Sequence, residues 1–100
     1  MPENRSKKIT VNRIASKFKT DYIPGPGPDI KCSKAIIVVE TEETLSEATR
    51  KLSGYRVPVY VAVTNKKSLF SAIEKYAHTT IGVMDNQGDI VKESTRRKKG

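Results

Sequence analysis

The chain has 100 residues, 36% of them hydrophobic and 30% charged, with a net charge of +8. That length supports one domain around one core, and the longest apolar run, 35–39, is far short of the ~20 residues a membrane-spanning helix needs. The lone cysteine, Cys32, excludes an internal disulfide and fits a reducing cytoplasm; no secretory signal is expected, because no apolar segment follows the basic first residues.

Val11, Ile14, Ala15, Phe18 and Tyr22 recur at helical spacing, so residues 11–22 are expected to form an amphipathic helix with Thr10 as its N-cap. Its polar side carries Arg13, Lys17 and Lys19. The prolines and glycines of 24–28 are expected to end it. A short strand begins at Asp29. Residues 35–40 are β-branched and apolar on both faces, which predicts a strand covered on both sides and continuing to Glu42. Thr44 and Glu47 have the spacing of a capping box, and Leu45, Ala48 and Leu52 form the buried stripe of the helix that follows. Gly54 is its expected stop. A second buried strand is predicted at 57–63, a helix at 67–77, and a hairpin from 81–84 and 90–92 around a Gly-containing turn. The order α-β-β-α-β-α-β-β predicts an α/β fold, a mixed sheet of four to five strands with helices on both faces. Residues 1–93 are expected to be that single domain, with 1–9 a flexible basic stretch and 94–100 a basic tail.

The charge is unevenly placed. Residues 1–19 carry a net +5, residues 92–99 a net +4, and the stretch between them a net −1. Basic ends gain affinity for phosphates by displacing counterions, which points to nucleic acid. The expected contacts are Arg13, Lys17, Lys19, Arg96, Arg97, Lys98 and Lys99. A membrane surface fits less well, since no amphipathic aromatic face accompanies these charges.

Alternation along 35–42 puts Ile36, Val38, Glu40 and Glu42 on one face. Carboxylates ending a buried strand need a cation, a metal or solvent to hold them. If the first strand pairs through a turn at Ser33-Lys34, Asp29 lies opposite Val38 and diagonal to Glu40. A turn at Lys34-Ala35 would place it opposite Glu40 instead. In both registers Asp29 and Glu40 could reach one hard cation.

The segment Pro28-Asp29-Ile30, followed by Ile37-Val38-Val39-Glu40-Thr41-Glu42, resembles the motif of the PD-(D/E)XK nuclease-like superfamily, which includes archaeal Holliday junction resolvases and restriction enzymes. The later VPVYVAV strand and the IGVMDNQGDIVKES hairpin are similar to the end of that family's sheet. The resemblance implies a restriction-endonuclease-like fold and a Mg²⁺- or Mn²⁺-dependent hydrolysis of phosphodiesters in DNA. It implies Asp29, Glu40 and the Thr41 carbonyl as metal ligands, and Glu42 as the group acting on the attacking water, where relatives usually have Lys. No acid occurs between Glu3 and Asp21, although many relatives bring a Glu from the first helix. The resemblance is thus compatible with an active nuclease, commonly a homodimer, and with a relative that only binds. A second resemblance, through KAIIVVE, VPVYV, NKKSLFSAI and TIGVMD, is to the kink-turn RNA-binding ribosomal proteins of archaea, without their Gly-x-Asn-Glu motif.

Overall fold

The computed structural model describes residues 5–22, 27–32 and 35–96, with side chains described from residue 7 onward. Its elements are α1 (Arg5–Lys17), β1 (Ile30–Lys31), β2 (Ile36–Glu40), α2 (Glu47–Lys51), β3 (Val59–Val63), α3 (Lys66–Lys75), β4 (Gly82–Met84) and β5 (Ile90–Lys92). The five strands lie in sequence order. The central β2, β3 and β4 are mutually parallel, and β1 and β5 close the sheet as antiparallel edges. This is the expected α/β class and element order. Among the described residues no helix is long and apolar enough to cross a membrane.

Every residue of β2 and β3 is buried, because helices cover the sheet on both sides. One layer packs Val11, Ile14 and Ala15 of α1 on Ile37, Val39, Tyr60, Ala62 and Met84. The other packs Ala48 and Leu52 with Ala72 and Tyr76 on Ile36, Val38, Val59, Val61 and Val63. α2 and α3, the two crossovers between parallel strands, therefore share a face, and α1 has the opposite one. Gly82 is the most closely packed of the described glycines: a Cβ there would stand 2.5 Å from the Tyr60 ring and 2.6 Å from the Lys92 carbonyl oxygen. Gly82→Ala is therefore expected to destabilise the fold by about 1–3 kcal/mol. An unchanged urea midpoint would mean that β4 and β5 separate without loss.

β3 starts at Val59 rather than 57, α3 spans Lys66–Lys75 rather than 67–77 and β4 starts at Gly82 rather than 81; four further boundaries differ from expectation for a visible reason. α1 starts at Arg5 rather than 11, so 5–9 are helical and not a flexible stretch, and Thr10 is buried inside the helix instead of capping it. α1 also ends well before Tyr22. Lys19 takes a left-handed conformation (φ 54), and Thr20 and Lys19 donate to the Ala15 and Ser16 carbonyls at 2.9 and 3.1 Å. That closure stops the helix before the prolines can act. β2 stops at Glu40 rather than Glu42, since the Thr44 hydroxyl takes the Thr41 N–H at 2.9 Å and the Thr44 N–H reaches the Thr41 carbonyl at 3.2 Å. Such local bonds compete with the ladder. They also occupy the Thr44 side chain, so no capping box forms: α2 starts at Glu47, with Ser46 as an N-cap that makes no side-chain bond. Gly54 (φ 86) does follow α2, and Asn65 caps α3 by accepting from the Ser68 N–H at 2.8 Å.

The C-terminal residues are stitched to the domain as far as Arg96. Ser94 Oγ accepts the Val59 N–H at 3.1 Å and donates to the Thr80 carbonyl at 2.8 Å. The Arg96 guanidinium donates to the carbonyls of Leu52 and Tyr55 at 2.6 and 3.1 Å, satisfying one acceptor at the C-cap of α2 and one in the loop beyond it. Residues 94–96 are therefore part of the domain and not a tail.

Candidate functional site

Among the described residues, Asp29 and Glu40 are the two buried carboxylates, each about 1% exposed. The pairs Ile30↔Ile37 and Lys31↔Ile36 fix the hairpin register, and extending them sets Asp29 beside Val38. That is the register of a turn at 33–34, residues that lie outside the described ones. Asp29 continues the ladder beyond the last paired residue of β1. Its N–H donates to the Ile37 carbonyl at 3.1 Å, and its Oδ2 accepts the Val39 N–H at 2.8 Å, where a backbone carbonyl would otherwise stand. Glu40, two residues after Val38, falls on the face covered by α2 and α3.

Two lysines converge on this edge from opposite helical layers. Lys7 of α1 brings its Nζ to 3.6 Å from Asp29 Oδ1, too far for a hydrogen bond. Lys51, the last residue of α2, brings its Nζ to 3.1 Å from Glu40 Oε2, and its side chain is only 11% exposed. Asp29 Oδ1 and Glu40 Oε2 nonetheless have no hydrogen-bond partner; Lys51 meets Glu40 as an ion pair without hydrogen-bond alignment. Burial pushes the Asp29 carboxyl above its usual range, and the Val39 N–H, Lys7 and Lys51 act against that. Behind the pair, the buried Tyr76 hydroxyl donates to the Leu45 carbonyl at 2.6 Å.

The direction of the Asp29 shift has a consequence for stability. A carboxyl whose folded pKa lies above the unfolded 3.8 keeps a proton longer in the native state, so its contribution falls as pH rises from that value through the folded pKa. Asp29→Asn has no such titration. Its stability relative to the wild type is expected to increase with pH from about 4 upward, measured as urea midpoints across that range. A difference that stays constant with pH would show that burial does not penalise the charge.

The other expected site residues are placed elsewhere. Glu42 is exposed beyond the strand end and faces α3: its Oε1 accepts from Ser71 Oγ at 3.2 Å, and its Oε2 lies 4.0 Å from Lys67 Nζ. With Leu45, Ser46, Ser71, Glu74 and Lys75 it lines an open depression that neither Asp29 nor Glu40 borders. The Thr41 carbonyl is engaged by the Thr44 N–H. Among the described residues no three His, Cys, Asp or Glu side chains assemble into a metal-holding group. Of the expected nucleic-acid contacts, Arg13 donates to the Asn86 carbonyl at 3.1 Å, Lys17 pairs with Asp89, and Lys19 is exposed at the helix end. Arg96 is bound to the end of α2, and Arg97, Lys98 and Lys99 lie outside the described residues. Lys7 and Lys51 are the site members that sequence reasoning missed.

No family model matches the chain, and no characterised protein or solved structure matches it either.

Proposed function

We propose that the chain is a nucleic-acid-binding domain of restriction-endonuclease-like type that hydrolyses phosphodiesters in DNA, with Asp29 and Glu40 holding a Mg²⁺ or Mn²⁺ ion. The observation that carries this is the pair of buried carboxylates, each with one oxygen that has no hydrogen bond. Buried acceptors are rarely left so without a functional reason. Two carboxylate oxygens suit a hard cation that keeps most of its water and takes further ligands from a phosphate. When bound, the ion supplies stabilisation of charge developing on the phosphate. The chain's own groups do the rest. Asp29 is held rigidly by the Val39 N–H. Two carboxylates against two ammonium groups leave the cluster neutral, so added cation charge makes it attractive to an anionic backbone. Glu42 faces Ser71 and Lys67, which leaves Lys51 as the basic side chain nearest the pair on the α2 side. A cytoplasmic setting and a homodimer belong to the same proposal.

A second reading, a relative that only binds nucleic acid, is favoured by the near-complete burial of both carboxylates and their pairing with lysines. Nicking of supercoiled plasmid and of four-way junctions separates the two. Cleavage is expected with Mg²⁺ or Mn²⁺ and none in EDTA. Cleavage that persists in EDTA would contradict the site, and tight binding without any cleavage would support the second reading.

The anchoring of Ser94 and Arg96 refines the expectation for the basic end. Removing residues 97–100 takes away Arg97, Lys98 and Lys99, so the salt dependence of DNA binding should become shallower by up to ~3 log units per log unit of salt, with stability kept. An unchanged slope would show that these residues do not touch phosphate. Removing 94–100 should also lower the melting temperature.

A further inference from the structure

We infer that Lys51 is a built-in competitor of the divalent cation: its ammonium group stands on the Glu40 oxygen that the ion would take, so that lysine and metal exclude one another there. The inference rests on reading Asp29 and Glu40 as a cation site, and not on cleavage. Lys51 Nζ stands 3.1 Å from Glu40 Oε2, the Glu40 oxygen that no hydrogen bond claims. An ion bonded to that oxygen would sit roughly 2 Å from it. An ammonium group at 3.1 Å on the same atom would then be a like charge at close range, and one of the two must leave.

The local structure allows the lysine to be the one that moves. Lys51 ends α2, and the backbone just beyond it is pinned by the Arg96 bonds to Leu52 and Tyr55. The movable part is the four-carbon stem, which can carry its charged head to solvent while its methylenes stay packed. Withdrawal of Lys51 also frees a cation for a phosphate arriving with the metal, which couples metal entry to nucleic-acid binding.

Mn²⁺ titration followed by calorimetry and by thermal unfolding tests this on the wild type, Lys51→Met, Lys51→Arg and the Lys51→Met/Glu40→Gln double variant. Lys51→Met is expected to bind Mn²⁺ at least ~10-fold more tightly than the wild type, because an unpaired buried carboxylate seeks a cation. Its melting temperature should rise with Mn²⁺ far more than that of the wild type. Lys51→Arg keeps the charge and should bind as weakly as the wild type, and adding Glu40→Gln should remove the gain. A Lys51→Met protein that folds only with Mn²⁺ supports the inference equally. If it stays unfolded with and without Mn²⁺, Lys51→Gln, which keeps a polar head, takes its place with the same expected gain. Equal affinities for the wild type and the neutral variant would overturn the inference, as would a gain that survives Glu40→Gln. A wild type that neither binds metal nor cleaves, beside a Lys51→Met protein that binds, keeps the inference and removes the nuclease. Wild-type cleavage with no effect of Lys51→Met on affinity does the reverse.

Discussion

Asp29→Asn and Glu40→Gln are each expected to abolish metal-dependent cleavage while leaving DNA binding intact. Both changes keep the size of the side chain and remove the negative charge that a hard cation needs. Asn at 29 can still accept the Val39 N–H, so the hairpin edge should keep its shape. In the proposed function binding would draw on basic residues outside the pair, such as the exposed Lys19, and loss of a carboxylate near phosphate would remove repulsion. Glu42 gives the contrast. It faces Ser71 and Lys67, so Glu42→Gln should leave the rate within a few-fold, as should Glu42→Lys. The resemblance to the nuclease superfamily implies Glu42 as the group acting on the attacking water, and that assignment requires a large loss from Glu42→Gln. Rates on supercoiled plasmid with Mg²⁺ and Mn²⁺ decide between these outcomes. Undiminished cleavage by the Asp29→Asn/Glu40→Gln double variant would show that hydrolysis occurs somewhere else.

Lys51→Met is expected to have the largest effect on stability, a loss of about 3–5 kcal/mol without added metal. The change strands the Glu40 carboxylate, which is 1% exposed, without the charge that offsets its burial. Glu40→Gln should be milder, because the freed lysine can extend to water whereas the carboxylate cannot. Changing both together should recover most of the loss, since replacing a buried ion pair by neutral groups is often close to neutral. The two single losses are therefore expected not to add. Urea midpoints of the four proteins measure this; additive losses would mean that Lys51 and Glu40 are energetically independent despite their 3.1 Å separation.

Much of the fold was legible because its signals are periodic. The β-branched runs at 36–40 and 59–63 and the stripe Leu69, Ile73, Tyr76 place β2, β3 and α3 with only their ends open, whereas the register of Asp29 stayed open between two turn positions until the Ile30↔Ile37 pairing set it beside Val38. What was not legible depended on single side chains. The first turns of α1 hold little apolar sequence, and Ile9 is half exposed, so nothing periodic marks the start. The end of β2 is set by the hydroxyl of Thr44, whose other option, a cap on α2, is equally good chemistry on paper. Arg96 reads as one more charge in a basic run until the carbonyls of Leu52 and Tyr55 are placed beside it.

The lysines of the site did leave a signal. Lys7 precedes Val11 by four residues and Lys51 follows Ala48 by three, so each borders the buried stripe of its helix, where a charge needs a partner. That pattern, read beside the acids at 29 and 40, is how the four residues could have been linked.

The most direct measurement of the site is anomalous scattering from crystals soaked in Mn²⁺, for the wild type and for Lys51→Met. A shared cation site at Asp29 and Glu40 requires a peak roughly 2 Å from one carboxylate oxygen of each residue, stronger in the variant, with Lys51 swung away in the wild type. No peak there in either protein at saturating Mn²⁺, or a peak at Glu42 instead, would contradict it.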